Sequence, residues 1–492
     1  MMLRGVGSRK RRVCLAAIVL LELFLGSIQA EAKPWVMCYF PGWELGNGST
    51  NSTPPLSALD FSSMTAVAYF GFGPNSDGTI DTSYANHKAA RLLAGAAHAK
   101  GAKALVSIGG WNTQSGFAGA TDSSNIGTFV QNILDLVKEY GFDGVDLDWE
   151  TYSGPIPSSD YPNFTRLAKL LRDSLNEMGN GMLLTSTSSS GNQNLMAATQ
   201  KYFNEINLMT YDLSAEYGGW PTWYNSALYS DGDSLDGQPL PNVNSMVHQF
   251  EKAGVDSAKI GIGCEFAGTV WEGASLPDVL PLSITLSSTS DVPLYDSSGT
   301  GIMQKYFNPV YYHWDPVAQV GYLSIPAGIL SLLSPSYFIT YDDSNSIAAK
   351  FDYIRQKHLG GLIIYELGWG YPPGSTDYPL MEAVKNIQGD TATTIVSTRP
   401  SAVPRSPFLR QNYPNPFNPS TTIEFGTTSA GRRVKVAIYD VLGQRVALLC
   451  DRFVNPGVHK IVWDAKACAS GVYICRLQTG STTLSIKMLL LK

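Results

Sequence analysis

Phe142-Asp143-Gly144-Val145-Asp146-Leu147-Asp148-Trp149-Glu150 is the stretch that decides how this chain is read. Acids stand at every second position, Asp146, Asp148 and Glu150, and the residues between them, Val145, Leu147 and Trp149, are apolar. Side chains of a β-strand point alternately to opposite faces, so the pattern predicts a strand with carboxyl groups on one face and apolar groups on the other. Burial strips a carboxylate of its hydration, and like charges this close cannot all stay ionised. At least one of these pKa values is therefore expected to rise, and a carboxyl group still protonated near neutral pH is what a general acid needs. Asp143 has the opposite parity and is assigned a structural role at the start of the strand.

Working outward, apolar and β-branched runs predict strands at 35–40, 66–72, 104–108, 144–149, 183–187, 206–211, 259–263 and 361–365. Amphipathic stretches between them predict helices. In 126–140, Phe129, Val130, Ile133, Leu134 and Val137 share a face, as do Leu167, Leu170, Leu171 and Leu175 in 164–178, and Phe351 and Ile354 in 347–358. Strands alternating with helices over roughly 350 residues predict an α/β fold, a (β/α)8 TIM barrel, spanning 33–388. A doubly wound open sheet fits less well, because no glycine-rich phosphate loop follows the first strand. Catalytic groups of such barrels sit at the C-terminal ends of strands. Glu150 should then lie nearest the mouth, with Asp148 and Asp146 progressively deeper.

The region of about 271–343 breaks the alternation with aromatic-rich sequence, including Tyr311-Tyr312-His313-Trp314-Asp315 and Tyr322. So long a connection predicts a small strand-containing insertion beside the barrel mouth. Residues 389–407 are rich in Thr, Ser and Pro and read as a linker. Short alternating runs at 434–439, 457–463, 471–477 and 484–490 predict that 408–492 forms an all-β immunoglobulin-like sandwich.

The 492 residues are 44% hydrophobic and 11% aromatic, enough for more than one core, and the formal net charge is −6. Residues 1–32 read as a signal peptide: a basic start, an apolar run at 13–25, then Ala30-Glu31-Ala32. The apolar run is too short to span a bilayer comfortably, and no stable membrane span is expected elsewhere. Loss of residues 1–30, with five basic residues and one acid, takes the formal charge to about −10, and an acidic surface argues against nucleic acid as a partner. Five cysteines then remain, Cys38, Cys264, Cys450, Cys468 and Cys475. Cys38 and Cys264 fall on predicted core strands and read as buried thiols; a disulfide among the other three stays open. No cysteine has metal-site spacing with histidine, so neither a metal nor a cofactor is expected.

The spacing Asp143-x-x-Asp146-x-Asp148-x-Glu150 resembles the signature of glycoside hydrolase family 18, the chitinases and their relatives. Ser107-Ile108-Gly109-Gly110-Trp111 is similar to that family's third-strand motif and Met209-Thr210-Tyr211-Asp212 to its sixth-strand motif. Asn225-Ser226-Ala227-Leu228-Tyr229, Phe338-Ile339-Thr340-Tyr341-Asp342-Asp343 and Gly360-Gly361 resemble later segments, in register along the barrel. The resemblance implies a secreted chitinase cleaving β-1,4-linked N-acetylglucosamine polymers or oligosaccharides with substrate assistance and retention. In it Glu150 is the acid and then the base. Asp148 orients the substrate's acetamido group, Asp146 shares a proton with Asp148, and Ser107 bonds nearby. Tyr211 bonds the acetamido carbonyl, and Met209 and Asp212 line the same subsite.

Sugar faces stack on aromatic rings, which makes Trp43, Trp111, Trp220, Trp223 and Trp369 candidate platforms, Trp220 and Trp223 being favoured. The sequence departs from the family pattern at Thr151-Tyr152, at Tyr365, where a tryptophan commonly floors the cleavage subsite, and at Glu265 and Ala267. These departures keep an endo-β-N-acetylglucosaminidase acting on N-glycans, or a peptidoglycan hydrolase, as alternatives. A non-catalytic lectin fits less well because Glu150 is present.

The C-terminal part resembles the type A sorting domain of the type IX (Por) secretion system. The resemblance rests on Gln411-Asn412-Tyr413-Pro414-Asn415-Pro416-Phe417-Asn418-Pro419-Ser420, Ile438-Tyr439-Asp440-Val441-Leu442-Gly443 and Ser470-Gly471-Val472-Tyr473. It implies a Gram-negative source, the outer-membrane type IX secretion machinery as a partner, and an extracellular or cell-surface-attached product. A carbohydrate-binding sandwich is the alternative.

Overall fold

Eight apolar runs, buried along nearly all of their length, close into a parallel barrel. Its strands are β1 (Trp35–Pro41), β2 (Ala66–Pro74), β3 (Lys103–Gly110), β4 (Gly144–Trp149), β5 (Leu183–Ser188), β6 (Glu205–Leu208), β7 (Ile260–Glu265) and β8 (Gly361–Tyr365). Each pairs in parallel with its sequence neighbours, and β8 pairs with β1 to complete the ring. The structure is a computed structural model describing residues 33–43, 56–215, 221–230, 234–235, 238–277, 287–375, 378–389, 396–397, 406–427, 433–453, 457–466, 468–479 and 482–492. The expected signal peptide and most of the expected linker lie outside these residues.

The two faces of β4 separate as their parity requires. Val145, Leu147 and Trp149 join the large cluster between the barrel and its helices, which include Ile126–Tyr140 and Tyr161–Met178. The lumen holds a second cluster of Met37, Tyr39, Ala66, Ala68, Leu105 and Ile363, with Tyr211 and Tyr365 packed on it. Register aligns Ser107 with Asp146 and Asp146 with Thr185, so one layer of the lumen is polar.

The ladder of β6 stops at Leu208, earlier than the expected 211. There the chain turns: Thr210 N–H bonds the Leu208 carbonyl, the Thr210 hydroxyl bonds the Gly263 carbonyl, and Asp212 has φ 51°. Tyr211 thereby leaves the ladder at the barrel mouth.

Directly after β7 the chain enters a five-stranded antiparallel sheet. Its order is Ser287–Pro293, Ala267–Glu272, Tyr337–Tyr341, Val320–Ile325, Tyr312–Asp315. Trp223, Tyr224, Leu240, Trp271, Val320 and Phe338 form its own core. The helix Ser344–Lys357 leads back to β8, its start closed by a capping box between Asp343 and Ser346.

The C-terminal part has two four-stranded antiparallel sheets. One contains Val396–Ser397, Gly457–Asp464, Ser420–Thr427 and Phe408–Leu409; the other Arg445–Phe453, Arg433–Tyr439, Gly471–Thr479 and Thr482–Leu490. Alternate residues such as Val434, Val436, Ile438, Cys475, Leu477 and Met488 fill the core. Val396–Ser397 lies in the expected linker yet pairs with Gly457–Asp464. Among the described residues the five cysteines are free thiols, and the disulfide left open by the sequence does not form. Among the described residues no helix is long and apolar enough to cross a membrane.

Candidate active site

Strand β4 carries Asp146 and Asp148 up the lumen, and Glu150 follows its last residue. Asp146 is fully buried and held by hydroxyls from three other strands. Tyr39 and Ser107 donate to its Oδ2 at 3.0 and 2.9 Å, and Thr185 donates to Oδ1 at 2.6 Å. Burial still raises its pKa, because the hydroxyls only partly replace lost hydration. Asp148, one rung higher, accepts from the Thr187 hydroxyl and is hydrogen-bonded to Glu150. Burial, then the charges of Glu150 and Asp146, hold its pKa well above the ordinary carboxylate range. Glu150 is half-buried, and burial pushes its pKa up to about 7. Asp148 and Glu150 thus share a hydrogen bond in which at least one partner is protonated at neutral pH. Asp146 has no bond to Asp148; its oxygens face Tyr39, Ser107 and Thr185 instead.

The glycines of the third-strand motif are there for room. A Cβ on Gly109 would lie 2.1 Å from the Asp148 carbonyl oxygen, and its φ is 121°. Gly263 on β7 likewise makes space for the Tyr211 ring, whose Cδ1 would be 2.6 Å from an added Cβ. Tyr211 stacks on Tyr365 with centroids 6.0 Å apart, and Tyr365 meets Tyr39 at 6.1 Å and Trp369 edge-on at 5.5 Å. Burial first, and then nearby acids, raise the Tyr211 and Tyr365 phenols, so both remain donors. Among the described residues the Tyr211 hydroxyl bonds nothing, leaving it available to a ligand.

Asp212 is open to solvent on one side, and its N–H bonds Asn225 Oδ1 at 3.1 Å. Asn225 Nδ2 in turn donates to Glu265 Oε2 at 2.8 Å. The segments around Tyr211, Ser226 and Asp342 are knitted by a buried lysine that the sequence reading missed. Lys350 Nζ lies 2.5 Å from Asp342 Oδ2 and donates to Ser226 Oγ at 2.6 Å and the Gly263 carbonyl at 3.0 Å.

The aromatic candidates divide. Trp111 is 66% exposed and pairs with Tyr152, itself 68% exposed, at 5.2 Å. Trp43 is 44% exposed, edge-on to Phe70 and Tyr84. Trp223 is only 1% exposed and donates to the Pro241 carbonyl inside the core of the inserted sheet. It has no face left for a sugar, a correction to its expected role as a platform. Trp220 lies outside the described residues, and Met209 is half-buried beside Tyr211. Asp143 stays out of the lumen, bonding the Ala104 N–H and His98.

Residues unforeseen in the sequence are those that brace the acids: Tyr39, Thr185 and Thr187, with Glu205 below. Glu205 is buried, pushed up to about 7 by that burial, and senses the charge of Asp146. Thr185-x-Thr187 repeats the parity of Asp146-x-Asp148 on the next strand, which is the signal that could have revealed the threonines.

Residues 35–369 match the glycosyl hydrolases family 18, and residues 411–491 match the secretion system C-terminal sorting domain. Chitinase A1 of Niallia circulans is 28% identical over 333 residues, covering 60% of this chain but only 46% of that protein. Chitotriosidase-1 of Mus musculus is 27% identical over 367 residues, covering 66% of this chain and 75% of that protein. The solved Ostrinia furnacalis Group IV chitinase in complex with allosamidin shares the fold, with TM-score 0.58 and 21% identity over 73% of this chain and 99% of that one.

Proposed function

This chain belongs to glycosyl hydrolase family 18, and we propose that it is a secreted chitinase hydrolysing β-1,4-linked N-acetylglucosamine polymers by substrate-assisted, retaining cleavage. The carrying observation is the wiring of the acids on and after β4. Asp146 is tied to three hydroxyls and Asp148 is hydrogen-bonded to Glu150 with its pKa held high, so neither is free to serve as a carboxylate nucleophile. Glu150, at about 7, is poised as an acid.

In this reading one proton serves the Asp148–Glu150 pair. When the sugar binds, its acetamido N–H takes the place of that proton on Asp148, and the proton passes to Glu150. Tyr211 donates to the acetamido carbonyl and turns its oxygen toward the anomeric carbon. That oxygen forms a bond to the anomeric carbon as the glycosidic C–O bond breaks, and Glu150 protonates the leaving oxygen. The cyclic oxazolinium intermediate is stabilised by the Asp148 carboxylate. Glu150, now ionised, takes a proton from the water that reopens the ring on the same face, which gives retention. Asp146, fixed from below by its hydroxyls, acts on Asp148 through its charge and favours the proton there until substrate binds, and Trp111, Tyr152 and Trp43 offer faces to neighbouring sugar units.

For export, residues 411–491 are the sorting domain, and the reading is delivery through type IX machinery to the cell surface or medium of a Gram-negative bacterium, after an N-terminal signal at 1–32. The test is hydrolysis of N-acetylated chitin oligomers beside fully deacetylated ones. Cleavage confined to acetylated oligomers is expected, and equal cleavage of both refutes substrate assistance. Tyr365 in place of the common tryptophan favours one other reading, an N-glycan endo-β-N-acetylglucosaminidase. Release of glycans from a high-mannose glycoprotein, with chitin oligomers untouched, is the result that reading requires.

A further inference from the structure

We propose that Asp212, Glu265 and Asp291 together hold a hard divalent cation, Ca2+ from the chemistry of the donors, where the barrel passes into the inserted sheet. These acids come from separate elements. Asp212 follows the turn after β6, Glu265 ends β7, and Asp291 lies on the strand Ser287–Pro293. One carboxylate oxygen from each lies within 4.8 Å of the others. Oxygens bound to one Ca2+ at about 2.3–2.6 Å are separated by up to about 5 Å, so a single ion can touch all of these with little movement.

The second observation is an unsatisfied atom. Glu265 is fully buried; Asn225 donates to its Oε2, and Oε1 receives no N–H or hydroxyl donor, the side chain meeting the Asp291 carboxyl instead. A buried carboxylate oxygen with no donor other than a neighbouring acid calls for a cation or a shared proton. No ion pair reaches any of the three acids among the described residues. The nearby buried cation, Lys350, is committed to Asp342, Ser226 and the Gly263 carbonyl. Asn225 is pinned as well: its Oδ1 accepts from the Asp212 N–H and the Thr269 hydroxyl, which turns its amide N–H toward Glu265. The ligand set is therefore held by an outer layer of hydrogen bonds, as in built metal sites.

All-oxygen ligation without histidine or cysteine selects Ca2+ over zinc. Asp212 and Asp291 are open to solvent, which leaves positions for water or a sugar hydroxyl. A bound ion would fasten the inserted sheet to the rim beside Tyr211. Positions 212, 265 and 291 have no motif spacing, so the sequence alone does not show the site.

The test uses the full chain, stripped with chelator, at neutral pH, without substrate. Calorimetric titration with Ca2+ should show one saturable site with a dissociation constant of about 10⁻⁵–10⁻³ M, and Ca2+ should raise the melting temperature. Glu265→Gln and Asp291→Asn should each weaken binding about tenfold or more and abolish the shift. The amide introduced by Glu265→Gln can keep the bond from Asn225, and Asp291 is exposed, so both variants are expected to fold. Absence of saturable binding in the parent protein, or a shift unchanged in both variants, overturns the proposal and leaves a cluster closed by shared protons. No readout involves hydrolysis, so failure here leaves the proposed activity standing.

Discussion

Asp146 and Glu265 are both fully buried acids of the same barrel, and their surroundings differ. Asp146 has both oxygens engaged, by Tyr39, Ser107 and Thr185. Glu265 has one oxygen on Asn225 and the other without an N–H or hydroxyl donor, facing the acids Asp212 and Asp291. The first arrangement suits a carboxyl group that must keep its position while protons move above it. In the second, burial first and then the neighbouring acids hold the Glu265 carboxyl well above the ordinary carboxylate range, so it ionises only at a cost. Acids in a cleft are thus distinguished by where their hydrogen bonds go rather than by their number.

The largest expected effect lies at the top of the β4 ladder. Glu150→Gln should lower kcat about 10³-fold, since it removes both the acid and the base, while oligosaccharide affinity measured by calorimetry stays within a few-fold. Activity within tenfold of the parent enzyme would take the acid role away from Glu150.

Next come isosteric amides at the two contrasting acids, which should act with opposite sign. Asp146→Asn replaces one acceptor oxygen with a donor facing hydroxyls already committed to donate, and should cost about 2 kcal/mol in urea unfolding. Glu265→Gln, in chelator at neutral pH, removes a buried carboxyl whose pKa is held above its ordinary value and should gain about 1 kcal/mol. The same sign at both positions would erase the distinction.

The pH dependence is smaller but specific. If Glu150 is the acid, as proposed, it must be protonated to act, and with burial raising its pKa to about 7, kcat/KM should fall roughly tenfold per pH unit on the alkaline side of that value. Stability moves in the same direction. The folded state holds the Glu150 proton up to about 7, whereas the ordinary value is 4.5, so the group makes folding less favourable as pH rises between those values. Glu150→Gln should therefore melt a few degrees higher than the parent above neutral pH, and the gap should close in acid. A gap unchanged by pH would mean that Glu150 does not titrate in that window.

The smallest effect belongs to the platforms. Trp111→Ala should raise KM several-fold with little change in kcat, while the buried Trp223→Ala should act through stability instead, costing about 3–5 kcal/mol.

Much of this site was legible because strand parity is a local property. The alternation at 145–150 places the acids in the lumen whatever the rest of the chain does, and the barrel follows from repeated strand and helix periods. Lateral partners are another matter. That Thr185 rather than a neighbour meets Asp146 depends on barrel register, and that Tyr39 reaches it depends on β1 lying across the lumen. Trp223 read as a platform because its burial is created by the inserted sheet, whose strands the sequence left unassigned. Asp291 belongs to that same sheet, which is why its meeting with Asp212 and Glu265 is a tertiary fact. The early end of β6 comes from Thr210 bonding across to β7, a contact with no local signature.

The most direct test of the central claim is the anomeric form of the first product, followed by proton NMR during hydrolysis of N-acetylchitotetraose. Attack by the sugar's own acetamido oxygen, with Glu150 as acid and then base, predicts that the β-anomer appears first and mutarotates slowly. Initial appearance of the α-anomer would mean that water attacks directly from the opposite face, and would contradict the account.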